Sequence, residues 1–230
     1  MENKIKQIQT AIFVKNFNII NDVEKANFLM EINNNVNSVF NGQPSLSPVP
    51  NDAPYEFPRL SLSSLDGRFK CNVALSRVDI FYNVPLDSND NLEQLLETQK
   101  NNSELVFNFL IGRGIIVNRT GFIVVIDKEL DTGDGNNVEY LRNNFIKDDK
   151  FKNPKELILN YNCLGGSGNF DMNNLILIKS DFDNKIFIQT DINTVAEIMD
   201  TANLNLNNYR EVIDYSIKKT QEIINDFPNI

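Results

Sequence analysis

Histidine is absent from the 230 residues of this chain, and its absence limits the chemistry that the side chains can perform. The chain has no Ser-His-Asp or Cys-His arrangement and no histidine-containing metal site, and it lacks the commonest general base near neutral pH. Its two cysteines cannot form a structural zinc site by themselves. Catalysis would have to use carboxylates, Lys, Arg, Tyr or an oxygen-ligated metal. The sequence therefore favours a non-catalytic protein with no cofactor.

Three aspartates are candidates for a site that binds a ligand or a metal ion. Asp127 and Asp191 each close an apolar segment with strand alternation, and Asp79 lies within another. If the two halves of the chain are repeats, Asp127 and Asp191 occupy related positions. The segment 127–134 lacks the spacing of a calcium loop, and we interpret both it and the segment 181–183 as turns.

Glycines gather at residues 165–168, Gly-Gly-Ser-Gly, a pattern with two interpretations. Small residues let backbone N–H groups approach a phosphate, but a phosphate-binding loop is followed by Lys or by a helix N-terminus. Here the tripeptide Asn-Phe-Asp follows instead. We therefore predict a flexible connection at this segment.

Four basic residues lie in or beside a predicted hairpin of this otherwise acidic chain: Arg59, Arg68, Lys70 and Arg77. With a period of two, Arg68 and Lys70 share the solvent face of one strand. One interpretation is a solvated strand face. The sharper one is a docking patch for an acidic partner or for an anionic ligand such as a nucleotide.

The overall charge of the chain disfavours some classes of binding partner. The formal net charge is −9, and such a field repels phosphate backbones and anionic lipids. We therefore expect no generic nucleic-acid binding and no membrane association. No apolar run approaches a membrane span, and the N-terminal residues lack a secretion-signal pattern. Together with free, buried thiols expected at Cys71 and Cys163, this favours a reducing, cytoplasmic location.

The clearest local pattern is a hairpin over residues 59–84, PRLSLSSLDGRFKCNVALSRVDIFYNV when Pro58 is included. Apolar residues alternate with polar ones on both sides of Asp66-Gly67, a dipeptide suited to a two-residue type I′ turn. The alternation changes phase at Ser76-Arg77, which predicts a bulge or a break between strands.

The order of predicted elements is the same in the two halves of the chain, residues 1–114 and 115–230. Each half runs strand, helix, three strands, helix, and the hairpin LSLSSLDGRFKC aligns beside LILIKSDFDNKI, which predicts an internal duplication. The first half also contains a proline-rich connector, residues 41–58, that should lie extended on the surface. The expected helix N-caps are Asn21, Asp90, Asn136 and Asn208.

These elements predict an α+β fold. It consists of two similar β-α-β-β-β-α units, with a mostly antiparallel sheet and helices on one face. The two units could lie side by side with continuous sheets or pack face to face.

A resemblance rests on the pattern P-x-L-x-L-x-S-x-D-G over residues 58–67 and on the alternating strand that ends near Asn83. A later strand that ends at Asp191 precedes a long helix. In these features, and in the order of elements over most of the chain, the sequence resembles an uncharacterised, sporadically distributed bacterial family of similar length. The family's usual tryptophan before the hairpin is absent. The resemblance implies no activity, because the family has none assigned.

Three functional hypotheses remain open. The first is a non-catalytic protein-interaction or assembly protein, homo-oligomeric and accessory or defence-associated, because symmetric assembly commonly covers open sheet edges. The second is an acidic inhibitor or immunity-type protein that meets a basic partner. The third is a ligand-binding or metal-dependent domain that uses the strand-end carboxylates.

Overall fold

The computed structural model describes residues 3–15, 17, 21–50, 52–88, 90–129, 136–146, 154–180, 185–195 and 203–227. The strands of this described part are β1 (Asn3–Lys15), β2 (Ser45–Leu46), β3 (Leu60–Ser63), β4 (Phe69–Val73), β5 (Arg77–Asn83), β6 (Ile116–Glu129), β7 (Ile158–Ser167), β8 (Phe170–Ser180) and β9 (Lys185–Thr194). The helices are α1 (Asp22–Asn35), α2 (Leu92–Gly112), α3 (Asn137–Leu141), which continues into the π-helical turn Arg142–Ile146, and α4 (Leu206–Asp226).

The nine strands form one sheet in the order β2-β3-β4-β5-β1-β6-β9-β8-β7, and neighbouring strands are antiparallel. The α+β class and the mostly antiparallel sheet are therefore confirmed. β1 and β6 meet at the centre, where Ala11 pairs with Gly121, called the central pair below. The sheet is thus continuous across the chain, as one of the two predicted arrangements requires.

All four helices pack on one face of this sheet. The row Ile80, Thr10 and Phe122 runs across three neighbouring strands on this face, and each of these side chains is fully buried. A single apolar core unites this side of the strands with residues from every helix. Phe107 of α2 stacks on Tyr209 of α4, with ring centroids 4.2 Å apart, so the two long helices also pack on each other.

The opposite side of the sheet, called the open face below, carries large side chains that are outside this core. None of the described helices packs there, because all of them lie on the core face. The apolar side chains of the open face are partly exposed: Phe13, Phe81, Ile123, Val125, Leu175, Leu177 and Phe187.

The first hairpin is confirmed, but its predicted two-residue turn is wrong. Ser64 N–H still donates to Phe69 O at 2.8 Å, so the loop spans residues 65–68, and only Gly67 has a positive φ, 73°. The cause is the Asp66 carboxylate, which accepts from the Ser64 hydroxyl and from the Arg68 N–H. The predicted break near Ser76 is confirmed, since residues 74–76 form a tight turn into β5.

Two of the four predicted N-caps are confirmed and two are wrong. α2 and α4 do not begin after Asp90 and Asn208. In these two helices the side-chain oxygens of Gln94 and Asn208 accept a hydrogen bond from the backbone N–H of the N-cap residue and close a capping box. The observed N-caps are Asn21, Asn91, Asn136 and Asn205.

The predicted flexible connection at residues 165–168 is wrong, because β7 and β8 pair as far as Ser167 and Phe170. Gly165 lies against α4, where a Cβ atom would clash with the hydroxyl group of Tyr215. Glycine is required by the close approach of the helix to the strand. The predicted turns at 131–134 and 181–183 lie outside the described residues. In the described part of the chain, no helix is both long and apolar enough to span a membrane.

Truncation of one phenylalanine on each face tests whether the core lies on one side only. Phe107→Ala removes a fully buried ring and should lower the free energy of unfolding by about 3–5 kcal/mol. Phe187→Ala, the same change on the open face, should cost about 1 kcal/mol. Urea unfolding of both variants measures the difference. Equal losses would contradict a one-sided core.

Candidate functional site: the open face and the free edge of the sheet

Asp79 is a buried carboxylate on the open face, only 2% exposed, beside the central pair. Gln9 Nε2 donates to its Oδ1 at 2.9 Å, and Arg77 Nε donates to its Oδ2 at 2.8 Å. Burial raises the pKa of Asp79, and the positive charge of Arg77 opposes that rise. The carboxylate is therefore fully engaged by its neighbours.

A second polar group lies on the other side of the central pair. Arg119 Nη2 donates to Asn193 Oδ1 at 2.9 Å, and Asn193 Nδ2 donates to Asp191 Oδ1 at 2.9 Å. The Arg119 guanidinium also lies over the ring of Phe13, 4.6 Å from its centroid. Burial lowers the pKa of Arg119, and the charge of Asp191 opposes that fall.

The two polar groups are arranged alike around the centre of the sheet. Gln9 and Arg119 each precede a central-pair residue by two positions. Each donates to the residue that pairs with this central-pair residue on the next strand outward. Those acceptors are Asp79 and Asn193. One half therefore uses a carboxylate where the other uses an amide.

The strand-end carboxylates are not gathered into a metal site. Asp79 on β5 and Asp191 on β9 are separated by β1 and β6, which places them at least about 14 Å apart at ordinary strand spacing, and they are also offset by two residues along the strands. One metal ion cannot bind both carboxylates at that separation. Among the described residues, no group of three His, Cys, Asp or Glu side chains is placed to hold a metal ion.

Asp127 lies at another place, at the end of the sheet near the start of β1. A register shift at Lys6 brings its Nζ to 2.9 Å from Asp127 Oδ2. Both residues line a cleft of about 670 Å³ between the ends of β1 and β6 and the start of α2. Three lysines and four acidic residues line this cleft, so its charge selects neither anions nor cations.

The four residues of the predicted basic patch have different surroundings. Arg59 donates to backbone carbonyl groups of the proline-rich connector, and Arg77 pairs with Asp79. Arg68 pairs with Asp66 in the hairpin loop, and Lys70 is exposed on β4. Three of the four cations thus have partners in local structure, which does not support a docking patch made of all four.

β7 forms one edge of the sheet, and in the described part of the chain no strand pairs with its outer side. Ser180 N donates to Leu157 O at 3.0 Å, so odd-numbered residues from 157 onward direct their backbone groups towards β8. In an antiparallel ladder the backbone groups alternate in direction. The N–H and C=O groups of residues 158, 160, 162, 164 and 166 therefore point outward from the sheet.

The composition of β7 leaves this edge unprotected. The strand, ILNYNCLGGS, contains neither a charged residue nor proline, the two common means of blocking an edge. Its large side chains are exposed: 54% for Ile158, 38% for Tyr161 and 77% for Leu164. Cys163 is also exposed, so its predicted burial is wrong, whereas the predicted burial of Cys71 is confirmed.

The opposite edge of the sheet is protected. Its last strand, β2, has only two residues and lies between Pro44 and Pro48 in the proline-rich connector. Proline has no N–H group to donate to a further strand. The connector, which was predicted to lie extended on the surface, thus also covers an edge, and β7 is the edge left free in the described residues.

A scan of protein-family models and a search of curated proteins find no match to this chain. The resemblance to an uncharacterised bacterial family stays a prediction, and a function has to be inferred from the geometry. The free edge was missed in the sequence, although ten consecutive residues without charge or proline were its visible signal.

Replacement of Asp79 by asparagine tests the cost of its burial. The raised pKa means that the folded state holds this proton more tightly than the unfolded state, so the stability from this group falls as pH rises above the unfolded value of 3.8. Asp79→Asn removes this dependence and matches the amide at Asn193. We expect the free energy of unfolding of the variant, relative to wild type, to increase between pH 4 and pH 7. Denaturant unfolding across this range is the measurement, and a decrease would contradict the prediction.

Proposed function

We propose that this chain is a non-catalytic interaction or assembly protein that accepts a strand from another polypeptide at β7. The observation that carries the proposal is the free edge, where five residues direct N–H and C=O groups outward with no protecting charge or proline. Main-chain hydrogen bonds to an added strand supply affinity in this mode of recognition, and side chains of alternate residues supply specificity.

The geometry of the carboxylates supports a binding role rather than catalysis. Asp79 and Asp127 each bond to a cation of the same chain, at 2.8 and 2.9 Å respectively. They are neither free general bases nor a bare acidic surface of the kind that an inhibitor would present to a basic partner. An accessory role fits a reducing location, in which the exposed Cys163 stays a thiol.

We also infer that the two halves arose by duplication. The shared strand order and the like arrangement of polar groups around the central pair support this inference. Under this inference, counting outward from the centre of the sheet, β3–β4 corresponds to β7–β8 and β4–β5 to β8–β9, which differs from the hairpin alignment made from sequence. Asp127 on β6 and Asp191 on β9 then do not occupy related positions, because β6 corresponds to β1 and β9 to β5.

Asn162→Pro tests the proposed function. Its N–H points outward, so proline removes a group offered to a partner without removing a bond to β8. Native mass spectrometry of the tagged full chain, purified gently from its host, should show added polypeptide mass on wild type and at least tenfold less on this variant, roughly the effect of losing 1.4 kcal/mol of binding.

Asn162→Thr is the matched control, because it keeps the N–H and a side chain suited to a strand. This variant should retain the added mass. The proposal fails if wild type carries no additional polypeptide, or if the proline variant carries as much as wild type while circular dichroism shows both to be folded.

A further inference from the structure

We propose that the strand added at β7 is β7 of a second copy of this chain, paired antiparallel with Tyr161 on the two-fold axis. The proposal rests on the proposed function, since it names the partner of the same edge. It joins two nine-stranded sheets into one continuous sheet across the dimer.

The direction of the backbone groups permits this pairing. A two-fold axis at Tyr161 places residue 160 opposite 162 and residue 158 opposite 164, all of them residues whose N–H and C=O groups point outward. Facing residues of this kind exchange two hydrogen bonds per pair in an antiparallel ladder. Odd-numbered residues then face each other as non-hydrogen-bonded pairs, in which side chains are closest.

The side chains of β7 complement each other in this register. On the open face, Ile158 of one copy faces Leu164 of the other, so the two most exposed apolar side chains of the strand cover each other. Asn160 faces Asn162, which pairs amide with amide. On the core face, the exposed ring of Tyr161 meets its own counterpart at the axis, an aromatic pair across strands.

Neighbouring registers lose this match. With the axis at Asn162, Ile158 would face Gly166 and Leu164 would face Asn160. With the axis at Asn160, Ile158 would face Asn162, and the apolar Leu164 would face the charged Glu156. Only the register centred on Tyr161 pairs apolar with apolar and amide with amide among these three.

The charges beside the strand fit the same register. Lys155 and Glu156 of one copy fall opposite Ser167 and Gly166 of the other, so no like charges face each other. The Glu156 carboxylate keeps its ion pair with Lys179 of its own chain, at 3.0 Å. A chain with a net charge of −9 would repel its copy at most surfaces, whereas β7 itself is uncharged.

Paired charge substitutions on the full chain test the partner and the register together. Asn160→Lys with Asn162→Lys places Lys opposite Lys twice and should raise the dimer dissociation constant by about tenfold or more. Asn160→Lys with Asn162→Glu places Lys opposite Glu twice and should restore wild-type dimerisation. Asn34→Lys with Asn101→Lys, two exposed helix positions, adds the same charge as the disruptive pair and should have little effect. Analytical ultracentrifugation measures the dimer dissociation constants of wild type and of the three variants.

A cross-link at the core face gives a second readout. Leu159 faces Cys163 of the other copy in a non-hydrogen-bonded pair, where Cα atoms lie about 4.5 Å apart and a disulfide can form. Leu159→Cys should yield a covalent dimer on mild oxidation with diamide. Wild type should not, because its two copies of Cys163 would be offset by four residues, about 13 Å along the strand. The double variant Leu159→Cys with Cys163→Ser should also form no covalent dimer.

Each result supports or overturns the proposal. A wild-type dimer with the predicted charge pattern and cross-link supports it. A dimer indifferent to the Lys pair overturns the edge as its interface, and a Lys-Glu variant that stays monomeric overturns the register. A monomeric wild type that still carries another protein, lost in Asn162→Pro, overturns self-pairing but leaves the proposed function intact.

Discussion

The pairing of β1 with β6 is the interaction on which the rest of the structure depends. These two strands, the longest in the sheet, join strands from both halves of the chain through the small central pair Ala11 and Gly121. Gly121 leaves room for Asn193 on the neighbouring strand, whose Cβ would be 3.1 Å from an added methyl group. Without this ladder each half would expose a further sheet edge, and the core shared by α2 and α4 would be divided.

The same arrangement explains why polar groups are buried on the open face, where none of the described helices packs. At the centre of the open face, neighbouring side chains shield one another from water, so Asp79 and Asn193 need internal hydrogen bonds. Gln9 and Arg119 supply them from the two central strands. A buried ion pair is weak support for stability, and each group contains a charge whose desolvation costs free energy: the Asp79 carboxylate in one and the Arg119 guanidinium in the other.

The two edges of the sheet differ in how accessible their backbone groups are to a further strand. Prolines beside β2 end the sheet on one side, whereas β7 continues for ten residues with its outer backbone groups unpaired in the described structure. The described helices of the second half do not cover the core face of β7, since Tyr161 and Cys163 remain exposed there. Binding at this edge would complete both the ladder and the apolar cover of the strand.

The sequence by itself determined the elements and their order, because alternation, helical spacing and Asn caps such as Asn21 and Asn136 act over a few residues. Tertiary structure decided what depends on neighbours distant in the chain. The need for glycine at position 165 is set by the approach of Tyr215 from α4. The loop at Asp66 and the capping boxes of α2 and α4 are local, since their hydrogen bonds join residues two or three apart, but neighbouring Asp and Asn residues made more than one local choice plausible. The position of β7 at an edge, which carries the proposed function, follows from strand order alone, and strand order is a long-range property that local patterns do not encode.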